Sequence, residues 1–283
     1  MCIITQNQYI IKILGEVWNM VNRMIFQVAV GPQSKLYEHC IKSVSQYCEK
    51  HDITHHVLTA PQLWIKPDPF NSGRSEESYM KYGGYLPIYE KENAFNYIDD
   101  YDQIAIVDAD IYIRPDAPNI FDEFSDDAAF GAVVERDMPI EDWYEKKIVN
   151  YSYMQYERLH DFSGINFDPN ELGFEFCNMG MILLNCEKFK PYLQGQTPKE
   201  FLMRSEFKDF VDGVGTWKWS TDQTLLNFFI KKYRVPLQKM HWKWNGLFTA
   251  NNKIDECHFI HFFLKDKLPN KGENVEELMN AIN

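Results

Sequence analysis

Four apolar residues, Ile104-Ala105-Ile106-Val107, run without a charge into Asp108-Ala109-Asp110. A short, β-branched, charge-free run suits a parallel strand covered on both faces, which requires an α/β fold with helices layered over a sheet. Residues two apart on an extended chain face the same way, so both carboxylates can project together. They emerge at the strand's C-terminal edge, where open α/β sheets bind their ligands. Two acidic oxygens there suit a hard divalent cation, and a cation there suits a diphosphate. A second Asp-x-Asp pair, Asp100-Tyr101-Asp102, precedes the run and so falls at the opposite edge of the sheet. It lies in an acidic turn and reads as solvated turn chemistry.

The rest of the chain alternates strands with helices. Residues 25–30 read as a first strand ending at Gly31-Pro32, and Ser34 then caps a helix with Leu36, Cys40, Val44 and Cys48 on one face. Residues 56–59 form a second strand. A loop follows with Pro61, Pro67, Pro69 and Ser72-Gly73-Arg74-Ser75, the candidate lid or acceptor loop. Residues 76–98 read as mainly helical, broken at Gly83, Gly84 and Pro87. Strands are expected at 129–134, 179–184, 235–237 and 259–263, and a long helix at 220–232. This alternation implies a largely parallel sheet in one domain, residues 24–283, after an N-terminal helical leader, residues 1–23.

The chain has 283 residues, near the upper size for one hydrophobic core, and its 45% hydrophobic content is ample for one. Lys and Arg number 29 against 41 Asp and Glu, a net charge of −12 that disfavours nucleic acid and anionic membranes as main partners. The same balance opposes a phosphorylated substrate. Like charges ~4 Å apart repel by ~4 kcal/mol at an effective dielectric of ~20. A diphosphate beside Asp108 and Asp110 therefore needs a cation. The six cysteines show no C-x-x-C spacing and read as reduced core thiols. Cys257, His258 and His261 lack the partner pair that a structural zinc site needs. The leader pattern (Ile10, Ile13, Leu14, Val17, Val21) is broken by Lys12, Glu16 and Arg23, too short and charged to span a bilayer. The expected location is the cytoplasm, with no membrane span.

Five blocks occur in order: Tyr101–Asp110, Phe176–Asn185, Asp222-Gln223 with Leu225-Leu226-Asn227, Trp244-Asn245, and Ile260-His261 heading a C-terminal segment with Lys267. Together, over residues 25–268, they resemble the GT-A glycosyltransferases, most closely the retaining family 8 type (glycogenin-like and galactosyltransferase-like). The resemblance implies a Rossmann-like nucleotide-diphospho-sugar transferase fold with a mostly parallel central sheet. It implies Mn²⁺ or Mg²⁺ held by Asp108, Asp110 and His261, and a nucleotide sugar, with uridine as the expected base, contacted by Val30, Gly31, Lys91, Ala109 and Lys267. Asn178, Asp222 and Gln223 would line the donor sugar as catalytic residues, and the acceptor would be a glycan or another hydroxyl. Leu264 stands where the family carries Gly, Leu268-Pro269 replaces Pro-Trp, and Lys91 replaces an Arg, losing its planar fork. Lys265 could therefore serve in place of Lys267. Two other classes are a sugar-1-phosphate nucleotidyltransferase and a non-catalytic nucleotide- or glycan-binding module. The first needs a basic Gly-rich loop where Gly31-Pro32-Gln33-Ser34 stands, and loss of either aspartate would have favoured the second.

Overall fold

Gln103 to Val107, all five buried, become β3 at the centre of a sheet, as the unbroken apolar run from Ile104 to Val107 requires. The computed structural model describes residues 21–31, 34–70, 72–74 and 84–282. The leader up to residue 20 and the front of the 76–98 segment lie outside the described residues. In chain order the elements before β3 are β1 (Arg23–Val28), α1 (Lys35–His51) and β2 (Thr54–Leu58). After it come β4 (Ile111–Ile113), β5 (Phe130–Val134), α2 (Asp142–Ser163), β6 (Cys177–Asn185), α3 (Cys186–Leu193), α4 (Pro198–Leu202) and α5 (Lys208–Asp212). The chain continues through α6 (Asp222–Tyr233), β7 (Leu237–Lys239), β8 (Gly246–Leu247), β9 (Phe259–His261) and α7 (Val275–Ile282).

The main sheet has the order β2-β1-β3-β6-β5-β7. Only β6 runs against its neighbours; the other pairs are parallel. The expected mostly parallel α/β architecture is therefore present, and β6 is what makes the site possible. Being reversed, it brings its N-terminal end to the edge where β3 finishes, with Met181 opposite Val107 and the Asp108 N–H donating to Gly180 O at 2.8 Å. A second sheet, β4-β9-β8, pairs Ile111 with His261 antiparallel.

Several boundaries differ from expectation. The first strand starts and ends two residues earlier than 25–30, and the last keeps only Phe259–His261. Residues Pro87–Tyr97 wind as a 3₁₀ helix with Pro87 at its first position, which suits the proline's fixed φ and absent N–H. The 22-residue α2 is unforeseen because its inner face mixes Tyr144, Ile148 and Leu159 with buried Ser152 and Gln155, so its apolar period is masked. No helix among the described residues is long and apolar enough to cross a membrane.

Candidate active site

Asp108 and Asp110 follow β3 where the strand gives way to a turn, and Ile111 N–H closes that turn on Asp108 O at 3.1 Å. Gln27, buried on β1, donates to the same carbonyl at 3.2 Å, and its Oε1 accepts from His55 Nε2–H at 2.9 Å. Asp110 O accepts from Phe262 N–H at 2.9 Å, which ties β9 to the turn. That tie and the Ile111–His261 register bring a residue far along the chain against the Asp-x-Asp. His261 Nε2 lies 3.3 Å from Asp110 Oδ1 and 3.7 Å from Asp108 Oδ2. Ligand atoms of Asp108, Asp110 and His261 all fall within 4.8 Å of one another, the set that the sequence resemblance implied.

The charges of this cluster are mutually adjusted. Burial works against the His261 imidazolium, but Asp110 and Asp108 outweigh it and raise its pKa above the ordinary histidine value. Burial raises the Asp108 pKa, with Asp110 adding and Lys91 opposing. Burial likewise acts to raise Asp110, yet His261 overcomes it and holds its carboxyl low. Lys91, from the 3₁₀ helix, inserts its Nζ between Asp108 Oδ1 at 2.7 Å and Asp222 Oδ2 at 2.9 Å, and donates to Met179 O at 3.0 Å. Burial disfavours its charge, but the two carboxylates prevail and raise its pKa.

Lys91 is thus placed as a counter-charge to two acids, and it also lines a cavity of about 520 Å³ with Val30, Tyr37, Ala109, Lys265 and Lys271. Gly31 borders an adjoining groove of about 650 Å³ that shares Ser34 and Tyr37 with that cavity. Lys267 does not line either one; its Nζ sits 3.0 Å from the centroid of the Trp143 ring. Lys265 instead lines the cavity beside Lys91. Leu264, just before them, adopts φ 57°, a left-handed conformation that glycine takes without penalty, so the backbone keeps the shape that suits the resembling family's Gly.

Asp222 is buried at the first turn of α6, but Thr221 is the cap, accepting from Gln223 N–H. Capping is therefore not what places Asp222 there. Gln223 Oε1 accepts from Met179 N–H at 3.3 Å. Asn178 sits behind the carboxylates: its Oδ1 accepts from Gly180 N–H at 2.9 Å and Asn245 Nδ2 at 2.8 Å, and its Nδ2 donates to Glu135 at 2.9 Å. Glu135 escaped notice in the sequence although it directly follows β5, the same strand-end position that marked Asp108.

The remaining candidates fall away from this site. Asp102 accepts from Asn22 N–H at 2.7 Å, a contact between the segments that enter β3 and β1 at the far edge of the sheet. Cys257 is buried, its thiol pushed up to about 12 by desolvation, and the described cysteines are unpaired. Trp244, from the fourth of the sequence blocks, is a core residue.

No family model and no curated protein matches the chain in sequence. Solved structures do match in shape. The galactosyltransferase LgtC, in complex with donor and acceptor sugar analogues, has a TM-score of 0.52 at 15% identity over 92% of this chain and 95% of that one. The chain has the GT-A glycosyltransferase fold. Mouse xyloside xylosyltransferase 1 gives a TM-score of 0.47 at 12% identity, covering 88% of this chain and 100% of that one. A glycosyltransferase involved in glycosylation of the major capsid of PBCV-1 gives 0.45 at 9%, covering 90% and 99%. Within the GT-A fold, the Asp-x-Asp turn and the reversed β6 meet at one sheet edge, and the cavity opens beside them.

Proposed function

We propose that the protein is a metal-dependent glycosyltransferase that moves a sugar from a uridine nucleotide sugar to a hydroxyl of a glycan or other acceptor, with retention of anomeric configuration. The observation that carries this reading is the convergence of Asp108, Asp110 and His261 at the ligand edge of a GT-A sheet. Two carboxylates and an imidazole fit a divalent cation, and the imidazole favours manganese over magnesium. Bound there, the cation supplies Lewis-acid stabilisation of the charge that develops on the departing diphosphate.

The chain's own residues do the rest. Lys91 holds one oxygen of Asp108 and leaves the other facing His261. Lys265 and Lys271 place positive charge on the cavity wall, which offsets an acidic chain for an anionic donor. Asp222 and Gln223 steady the sugar as positive charge develops on it, and the leaving phosphate takes the acceptor proton on the same face. The reading assigns this chemistry to a single domain, residues 24–283, in the cytoplasm. Retention and uridine rest on the sequence resemblance.

The test is a thermal-shift series with UDP, Mn²⁺, both together, and UDP in chelator. A ligand at 100 times its dissociation constant adds about 2.7 kcal/mol. At about 2 °C per kcal/mol for a chain of this size, the melting temperature should rise by about 5 °C with both present. UDP that stabilises equally in excess chelator would refute the metal-dependent reading. Release of nucleoside diphosphate from a UDP-sugar panel, as against pyrophosphate, separates this activity from nucleotidyl transfer.

A further inference from the structure

We infer that Asn245, itself oriented by Asn178, fixes His261 as the Nδ1–H tautomer, so that Nε2 presents its lone pair toward the two aspartates. The inference deepens the proposed metal site and rests on that reading for its functional meaning.

One donor in the network, a backbone N–H, has a direction that is not open to choice. Gly180 N–H can only donate, and it points at one end of the Asn178 amide at 2.9 Å; that end is therefore Oδ1. The other end, Nδ2, then faces Glu135 Oε2 at 2.9 Å, where a carboxylate oxygen accepts. The Asn245 amide meets the same Asn178 Oδ1 at 2.8 Å, so the atom it offers there is Nδ2. Its Oδ1 is left facing His261 Nδ1 at 3.1 Å. An amide oxygen cannot donate, so Nδ1 carries the proton, and a neutral ring has Nε2 bare. Nε2 is the atom that faces Asp110 and Asp108.

Two further features hold the arrangement. Tyr144 Oη donates to Glu135 Oε1, so both oxygens of that carboxylate are engaged. Gly180 also provides the space: a Cβ there would lie 2.4 Å from His261 Cε1 and 2.6 Å from Nδ1. Asn178, Asn245 and His261 are all buried, so water does not compete freely for these groups. Asn178 and Asn245 are thus positioning residues. Ligating histidines commonly have their second nitrogen fixed in this way, and loss of the partner typically costs about 10–100-fold in metal affinity.

The test uses full-length protein labelled with ¹⁵N-histidine. In the metal-free wild type, at alkaline pH where imidazoles are neutral, His261 should show the Nδ1–H pattern; an Nε2–H pattern overturns the inference, whatever the metal does. Calorimetry with Mn²⁺ then compares wild type with Asn245→Leu, expected to bind about 10–100-fold more weakly. Unchanged binding by Asn245→Leu also overturns it. Should Asn245→Leu not fold, the wild-type tautomer decides. Failure of the wild type to bind Mn²⁺ rejects the metal reading and leaves the tautomer measurement standing by itself.

Discussion

Replacing Lys91 by Met separates two roles that a lysine at this place could have. The ammonium lies 2.7 Å from Asp108 and 2.9 Å from Asp222. At an effective dielectric of ~20, each attraction is worth about 6 kcal/mol. Against this stands a desolvation penalty of several kcal/mol for each buried ion. Truncating one partner of a buried charge pair leaves the others uncompensated and typically costs about 3–5 kcal/mol. Urea denaturation in chelator should therefore show Lys91→Met less stable by about that amount, a fall of about 6–10 °C in melting temperature at about 2 °C per kcal/mol. The same change removes a positive charge from beside Asp108, so Mn²⁺ should bind more tightly to the variant and recover part of the lost stability. A lysine serving only to contact a donor phosphate predicts the reverse: normal stability in chelator and weaker UDP binding. Stability within 1 kcal/mol of wild type in chelator, or weaker Mn²⁺ binding, would refute the reasoning.

Asp222→Asn should lower turnover on the order of 10²-fold while UDP affinity changes little, because a negative charge near a developing oxocarbenium acts mainly in the transition state. Near-normal sugar transfer beside a normal UDP dissociation constant returns Asp222 to the role of counter-ion for Lys91. Glu175→Gln tests a second charge cluster, in which Glu175 lies 2.7 Å from Lys239, 2.9 Å from Lys231 and 3.0 Å from Arg136. Burial opposes the carboxylate, but Lys239 and Lys231 overcome it and depress its pKa. A depressed folded pKa gives stability that is complete above the unfolded value of about 4.3 and lost as pH falls through the folded one. The variant should be about 3 kcal/mol less stable at neutral pH, with the gap closing below about pH 4.3; a gap that holds constant into acid contradicts this.

Much of the site was legible because its signals are local. A charge-free β-branched run fixes a buried central strand, and the i, i+2 geometry of an extended chain sets Asp108 beside Asp110 without any tertiary information. The choice between Asp108-x-Asp110 and Asp100-x-Asp102 follows from which end of the strand each occupies. His261 was marked by the resemblance, through its distance to a lysine, although the lysine that lines the cavity is Lys265.

The reversal of β6 was not legible. A strand buried on both faces reads the same in either direction, and only its hydrogen-bonded register shows that Gly180 meets Asp108. The fate of Lys91 was hidden for a similar reason: a sequence shows one cation near an acidic motif, and only the fold brings Asp222 to its other side. The polarity of the Asn178–Asn245–His261 network is the clearest case. Residue types alone leave each amide free to face either way, and it is the placement of one backbone N–H, from a glycine small enough to admit an imidazole, that fixes every proton in the line.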